Sequence, residues 1–592
     1  MTVRDAKAVE PLRKISPQVT VVALVVVQTL AYAAIAVLSP RFAPGTRSVE
    51  RPILVVLGLF GVAFLCYWIA LAVVLKIRES ARLAMGIVLA SLLFRAVVFV
   101  SWPIQEIDIY RYIWDGTVLV QGISPYRYSP QQVLSAALED DLPRDLHRLK
   151  RLELSNPTVH TILSRVHYGE LSTIYPPASQ AIFAIAVLLT PDRASVFGRI
   201  SRMKAVFVLL DLATLLVIIA LLRAAGKHIG WSVAYGWCPL VIKEIANTGH
   251  LDSLAVLLTM LALYLAAGPL FRGGTKRRAA WWVLSSAVVG ALAVGAKLYP
   301  IVLAPLLAAL WARATSWRWA LAAILVLVLA TAAVLWPMMR WEKAVVSSST
   351  DASAASAGER SFPVPTSTAS CEPAPTPGLA AFLRRWEMND LLFMLVVENL
   401  RPSEHVRSSR PAWFAVLPEA WRRNLTAAVS QRLGIDRSEA PFLVARFATT
   451  AILLMITTAL LWRAHFAEDQ TEWLRTAFLI VAWFWLLSPT QNPWYWIWAL
   501  PLVMFARSRA WLLVSGLVML YYLRFWLSYH WPEQTVAGTP YRGAEFFDYV
   551  VTWVEYGPCF AWLVRDAIGR RSRTPERMET RDGIRPSPSN AN

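Results

Sequence analysis

Nine stretches of this chain, near residues 20–38, 52–75, 83–102, 204–222, 251–268, 319–337, 441–462, 510–528 and 546–564, are apolar for long enough to cross a bilayer as helices. Hydrocarbon offers no water to a bare peptide group, so segments of this length are stable there only when their N–H and C=O groups pair internally. The expected fold class is all-α, a polytopic transmembrane helix bundle. Of the 592 residues 56% are hydrophobic and 16% charged, which excludes a water-soluble globule. The first run follows Arg4, Lys7, Arg13 and Lys14 and shows no small-residue cleavage site after a short apolar core, so it reads as a retained span.

A formal charge of +19 could suit a nucleic-acid partner, but the basic residues sit in short loops and in the tail after Arg565. That is the pattern of positive-inside anchoring, and membrane lipids are the expected surroundings. Cys66, Cys238, Cys371 and Cys559 are scattered and form neither a metal pattern nor a disulfide framework. Many of the 27 tryptophans fall at span ends, as at Trp102, Trp231, Trp281, Trp336, Trp494 and Trp496, where interface belts form.

Orientation follows from the basic loops. With residues 1–17 cytoplasmic, three spans within 18–102 deliver residue 103 to the outside, and 103–203 becomes a first large outer loop. The clusters KIRESAR (76–82), FRGGTKRR (271–278), RATSWR (313–318) and RSR (507–509) and the tail then all lie inside, provided that 174–190 dips into the outer leaflet and returns. That segment, IYPPASQAIFAIAVLLT, opens on two prolines and is about as short as a span can be. The dip leaves Arg193, Arg199, Arg202 and Lys204 outside, in need of an anionic partner. If 174–190 crosses instead, those four become cytoplasmic anchors and FRGGTKRR moves outside unless another segment fails to span; the dip is preferred.

Counting short helices at 230–246, 280–296, 299–312, 473–489 and 493–506, the expected total is about fourteen spans with both termini inside. Residues 204–337 are membrane helices, 338–440 a second outer region, 441–564 the C-terminal membrane helices and 565–592 a basic cytoplasmic tail. Within the second outer region the Pro/Ser/Thr-rich stretch 347–378 is expected to be disordered. The following 379–400 reads as a helix offering Trp386, Leu391, Phe393 and Leu395 to the interface.

Polar residues break this apolar pattern most sharply at EIDIYRYIWDG, residues 106–116. On a helix, Asp108, Arg111, Tyr112 and Asp115 share one arc and Ile107, Ile109, Tyr110, Ile113 and Trp114 the other. The helix would lie on the outer surface with its aromatics in the interface and its carboxylates toward a cavity. Glu106 precedes or caps it, which makes Asp108 the first candidate for chemistry and Glu106 the second. A plainer reading stands beside this one: Asp108 favours a helix N-terminus and pairs with Arg111.

Three further clusters fall on the same expected face, at breaks between short helices. KEIANTGHLDS (243–253) carries Lys243, Glu244, Asn247, His250 and Asp252, GAKLYP (295–300) carries Lys297 and Tyr299, and SPTQNPWYW (488–496) carries Gln491, Asn492 and Trp494. Singly, each can be a Pro- or Asn-turned hairpin, a snorkelling lysine or a capping histidine. Their common placement argues for a site, since irregular backbone at membrane depth is tolerated where it lines a cavity. Arg95 and Asp211 fall inside expected spans, where an unpaired charge costs at least a few kcal/mol.

Together, DIYRYIWDGTVLVQGISPYRYSP (108–130), IYPPASQ (174–180), NTGHLDSLAVLL (247–258), KLYP and SPTQNPWYWIWALPL resemble the polytopic GT-C glycosyltransferases. Within that superfamily the chain is similar to bacterial mannosyltransferases that use polyprenyl-phosphate mannose to extend periplasmic mannans and lipoglycans. The resemblance covers roughly residues 80–530, and its motifs are not specific to a sugar. It implies a GT-C-like bundle in which interfacial helices roof a cavity open to the outer leaflet, in the plasma (inner) membrane. It implies a polyprenyl-phosphate-linked sugar donor, a glycan or lipid acceptor, and a catalytic acid at the head of the first outer loop, which maps to Asp108.

A carboxylate there can take the acceptor hydroxyl's proton, and a leaving polyprenyl phosphate needs cations, for which Arg111, Arg199, Lys204 and Lys297 are candidates. Tyr112, Tyr126 and Tyr175 could stack on sugar or line the isoprenoid groove, while Asn247, His250 and Asp252, and then Gln491, Asn492 and Trp494, could read hydroxyls. One carboxylate acting as base predicts inversion at the anomeric carbon. No cofactor is expected; some relatives require a divalent metal, which Asp108 with Asp115 or Asp252 could hold, but no ligand spacing points to one. The rival readings are a transporter or flippase for a lipid-linked sugar, a protein or lipid A glycosyltransferase of the same superfamily, and an inactive membrane subunit.

Overall fold

The computed structural model describes residues 16–139, 142–273, 275–356, 378–406, 408 and 410–571. The helices in these residues pack into one bundle, and no β-strand occurs among them, only the isolated bridges Met388 to Thr490 and Thr535 to Arg542. Nine described helices are long and apolar enough to span: Pro17–Phe42, Ser48–Val74, Ala81–Phe99, Val196–Ala224, Asp252–Arg272, Lys276–Ala296, Trp317–Arg340, Ala440–His465 and Ala510–His530. Their outer faces carry rows of exposed apolar side chains, such as Val19, Val22, Val26 and Leu30, or Leu321, Leu325 and Leu329. Spaced three and four residues apart, these rows form continuous stripes suited to acyl chains.

Every expected long run except 546–564 has a counterpart, and Lys276–Ala296 joins them as a full-length helix. The 546–564 run is broken by a wide turn at Phe547–Val551, after which a helix covers Thr552–Arg571. Two of the short expected spans are not single helices. Residues 229–247 divide into the pieces Ile229–Ser232, Val233–Gly236, Pro239–Val241 and Ile242–Asn247, and residues 493–505 into Pro493–Trp498 and Leu500–Phe505. Pro239, Pro493 and Pro501 lack the N–H that would carry the ladder through, so each is the first or second residue of a new piece. The Pro177–Leu188 helix has 12 residues, about 18 Å at 1.5 Å per residue, which falls short of the hydrocarbon thickness.

The charges inside the spans meet each other. Arg95 Nε donates to Asp211 with both side chains wholly buried, Tyr235 donates its hydroxyl to Asp211 at 2.6 Å, and Arg95 Nη1 donates to the carbonyls of Ser91 and Gly236 at 3.0 and 2.7 Å. This ties Ala81–Phe99 to Val196–Ala224 inside the bundle.

Several interface expectations change in the structure. Ile109 to Val118 of the Asp108–Val120 helix are all buried, aromatics included, so this helix packs inside the protein and not on the membrane surface. Its contact with Pro177–Leu188 is close because Gly116 has no side chain: a Cβ there would sit 2.6 Å from the Phe183 carbonyl oxygen. The expected 379–400 helix is split into Gly378–Arg385 and Leu392–Leu400, and Leu391 and Phe393 are buried. The break falls where Met388 pairs its backbone with Pro489 and Gln491 and Asn389 takes a positive φ of 54°, neither compatible with a continuous helix.

Trp281 and Trp336 are exposed as an interface belt requires, whereas Trp494 and Trp496 are buried because their segment lies inside the protein. Of the stretch expected to be disordered, residues 347–356 continue the Trp317–Ser356 helix, and 357–377, with Cys371, lie outside the described residues. The other three cysteines are free and buried. Arg4, Lys7, Arg13, Lys14 and the tail beyond 571 also lie outside the described residues.

Candidate active site

Three helix ends meet at one end of the bundle. Ala81–Phe99 finishes there, Asp252–Arg272 begins there with Asp252 as its first residue, and Lys276–Ala296 ends there at Lys297. Lys204 joins the loops, its ammonium donating to the carbonyls of Phe99 and Ser101 at 2.7 and 2.9 Å. Asn247 shapes the next residues: its amide donates to Ser101 Oγ at 2.6 Å and the Trp102 carbonyl at 2.8 Å, and its oxygen accepts from Ile104 N–H at 2.9 Å. Gly249 has φ +72°, and a Cβ there would lie 2.7 Å from Ile109 Cδ1, so glycine lets NTGH fold against the acidic helix. Gln105 turns the chain with φ 66°, held by Arg51 at 3.0 Å and by Tyr529, and presents Glu106 and then Asp108.

Asp108 is the first residue of its helix and half-buried. Tyr175 donates its hydroxyl to Asp108 Oδ2 at 3.3 Å, and the Tyr175 ring stands edge-on to Tyr112 at 5.0 Å. Tyr126 fixes this corner by donating to the Tyr175 carbonyl at 2.7 Å. Asp108 also lies within electrostatic reach of Lys297 and Tyr495.

Lys297 is the reachable cation of this group, its side chain 15% exposed beside a wholly buried Asp252. Its ammonium donates to Asp252 Oδ1 at 2.6 Å and lies 4.4 Å from the Tyr495 ring centre and 5.1 Å from that of Trp498. Trp498 Nε1 donates to the same oxygen at 2.5 Å, and Tyr299 stacks behind it at 4.3 Å. Asp252 Oδ2 has no hydrogen-bond partner.

A second network adjoins the first through Glu106. Glu244 accepts from the Tyr522 hydroxyl at 2.6 Å and lies 3.0 Å from His250 Nδ1, and Lys243 donates to the Tyr522 hydroxyl. His250 stacks on Trp494 at 4.1 Å and its Nε2 has no partner. Glu106 lies beside the Tyr521 hydroxyl and within electrostatic reach of Lys243 and His250, with Oε1 unpartnered. Burial pushes the Glu106 carboxyl up to about 7 against the pull of Lys243.

The remaining candidates are engaged elsewhere. Arg111 donates to the carbonyls of His167, Tyr168 and Leu171, and Arg199 to that of Asp192, so these guanidiniums brace loops. Asp115 accepts from Gln180 at 3.2 Å, and burial pushes its carboxyl up to about 6. Asp115 and Asp252 thus belong to different networks. Among the described residues no group of three or more His, Cys, Asp or Glu side chains is arranged to hold a metal ion. Gln491 donates to the carbonyls of Leu486 and Ser488 and pairs its backbone N–H with the Met388 carbonyl, and the Asn492 carbonyl accepts from Tyr495 N–H at 2.9 Å.

Residue reasoning missed Gln180, Tyr495, Trp498, Tyr521 and Tyr522. Gln180, Tyr495 and Trp498 lie in motifs that the resemblance already covered, whereas the two adjacent tyrosines are hidden in the apolar 510–528 run.

Glu106 and Asp115 give a pH signature. Both pKa values are raised in the folded state, so the fold holds protons that the unfolded chain has released above the ordinary carboxylate range. That contribution to stability is complete below the unfolded values and is lost as pH rises through about 6 and about 7. The thermal midpoint of purified protein is expected to fall between pH 5 and pH 8, with a shallower fall in Glu106→Gln. Equal slopes for the two proteins would remove Glu106 from this role.

Membrane-length helices closing over a polar site built from their ends define a multi-pass helical membrane protein with an enclosed, charge-bearing centre. The family that such a centre serves is identifiable: the chain belongs to the MptA_B family, whose model, described as alpha-(1->6)-mannopyranosyltransferase, N-terminal domain, matches residues 18–313. It is thus a mannose-transferring glycosyltransferase, acting between a sugar donor and an acceptor, in agreement with the resemblance to bacterial mannosyltransferases. The matched residues include Glu106, Asp108, His250, Asp252 and Lys297 but not Trp494 or Tyr522. Neither a curated protein nor a solved structure matches the chain.

Proposed function

We propose that the protein transfers mannose from a polyprenyl-phosphate donor to a glycan or lipid-linked acceptor on the extracytoplasmic face of the plasma membrane, as a GT-C enzyme with Asp108 as general base. The observation that carries this reading is a half-buried carboxylate at the head of a buried helix, steadied by Tyr175 and within electrostatic reach of Lys297.

A sugar hydroxyl is a poor nucleophile, and Asp108 takes its proton as the new C–O bond forms. The bond between the anomeric carbon and the phosphate oxygen breaks, and the electron pair leaves on polyprenyl phosphate. Lys297, already oriented by Asp252 and two aromatic rings, meets that growing charge with little reorganisation. A single base acting opposite the leaving group inverts the anomeric carbon. The family favours transfer over transport.

Charge placement favours an outer site. Arg82, Lys276, Arg277, Arg278 and Arg313 lie at the helix ends remote from Phe99, Lys297 and Tyr299, where positive-inside bias expects cytoplasm. Ser39, at the end of the first span, accepts from Trp102 N–H near the site, which favours a cytoplasmic Pro17. Asn389 near the site donates to Glu555, which favours the same side for Arg571.

The test is a transfer assay with purified protein in nanodiscs, polyprenyl-phosphate mannose and α-(1→6)-mannotriose. Addition of one hexose is expected, detected by mass spectrometry, with the new linkage read by NMR. No transfer from any polyprenyl-phosphate hexose, together with lipid-linked sugar crossing vesicles that contain the protein, would replace this reading with transport.

A further inference from the structure

A cavity of about 480 Å³ opens between residues 387–401 and residues 524–549, beyond the part of the chain matched to the family. Its size is that of a pocket for a small ligand. Asp390, Asp548, Arg524, Arg542, Trp531 and Tyr549 contribute to the wall.

Most of the charges there are already paired. Arg524 grips Asp548 through Nε and Nη2 at 2.9 and 3.1 Å, Arg401 donates to Glu387 at 2.9 and 3.0 Å and also to Glu398, and Arg542 pairs with Glu533 at 3.2 Å. Such pairs neutralise one another, yet they leave fixed donors and acceptors facing the same space. A neutral ligand rich in hydroxyls, each able to donate and accept, fits that wall, and rings such as Trp531 and Tyr549 suit the C–H face of a pyranose. A phosphate would meet the carboxylates of Glu387, Glu398, Glu545 and Asp548, so the charged headgroup of the donor is the wrong occupant.

Asp390 supplies an independent pointer. It is 6% exposed, and its Oδ2 has no hydrogen-bond partner, an expensive arrangement unless a ligand supplies one. Burial pushes its carboxyl well above the usual carboxylate range.

The same turn reaches the site already described. Met388 lines the cavity, pairs its backbone with Pro489 and Gln491, and accepts on its sulfur from the Tyr521 hydroxyl at 3.2 Å. Tyr521 in turn stands beside Glu106 and edge-on to Trp494.

We propose that this cavity is the acceptor site, holding a short neutral oligosaccharide whose terminal sugar is presented past Met388 toward Asp108. The proposal rests on the transfer reaction above, and two measurements keep the two ideas separable. The probe is α-(1→6)-mannotriose, and the protein is the full chain in nanodiscs. Asp390→Ala and Trp531→Ala are each expected to raise the acceptor KM about tenfold or more, with the donor KM unchanged. Direct binding of mannotriose, read by isothermal titration without donor, is expected to weaken by a similar factor.

Unchanged acceptor KM in both variants, a loss confined to kcat, or no mannotriose binding to the wild-type chain at millimolar concentration would overturn the assignment. Mannotriose binding that both variants weaken, in a wild-type protein that transfers nothing, would support the cavity and sink the transfer reaction instead. Retention of the wild-type thermal midpoint in Trp531→Ala guards against reading misfolding as lost affinity.

Discussion

Asp108→Asn lowers mannosyl transfer by about 10²–10⁴-fold, the usual range for a lost general base, while the donor KM and thermal midpoint stay near wild type. The expected split follows from the surroundings. Asp108 is half-buried and accepts from Tyr175 at 3.3 Å, a contact that asparagine's oxygen can keep. Its charge at a helix N-terminus is worth about 0.3–1 kcal/mol, too little to unfold the chain. Initial rates with saturating donor and acceptor decide the matter. Transfer at the wild-type rate would hand the role to Glu106, the neighbouring carboxyl with an unpartnered oxygen.

Lys297 gives the second large effect, and two variants together separate structure from chemistry. In Lys297→Met the wholly buried Asp252 loses its cation and keeps only Trp498, which is expected to cost about 3–5 kcal/mol of stability. Adding Asp252→Asn removes the stranded charge, and most of that stability returns. Transfer does not return: it stays about 10²–10³-fold below wild type in both, because the leaving phosphate still lacks its cation. Denaturation midpoints and transfer rates measured on both variants test this. Recovery of activity alongside stability in the double variant would reduce Lys297 to a partner for Asp252.

The bundle was legible because apolar length alone reports a membrane helix. The acidic helix was legible in its start, with Glu106 ahead of Asp108 at the first position, but not in its surroundings. Its amphipathic pattern suggested a surface, whereas Gly116 lets Pro177–Leu188 cover it, and that contact depends on a distant segment. The same limit applied to the cations. Arg111, Arg199 and Lys204 looked like phosphate ligands by charge and placement, and all three instead donate to carbonyls that become available only after folding. Lys297 kept its candidacy because a carboxylate and two rings hold it in place. Tyr521 and Tyr522 were invisible because an apolar run reveals that residues are buried, not which hydroxyls they bring to a neighbour. The seam between Met388 and Thr490 is made of backbone and has no residue signature at all.

The pairing of Arg95 with Asp211 bears on how the chain is made. The two residues are separated by 116 positions, so the ribosome completes Ala81–Phe99 well before its counterion exists. Alone within an apolar span either charge disfavours insertion, by up to about 2.5–3.5 kcal/mol at a helix centre on translocon scales. Integration of that third segment is therefore provisional until Val196–Ala224 emerges, and the two enter lipid as a matched pair. The order of synthesis sets a checkpoint: a nascent chain truncated before residue 196 holds its third hydrophobic segment less firmly than the complete protein does.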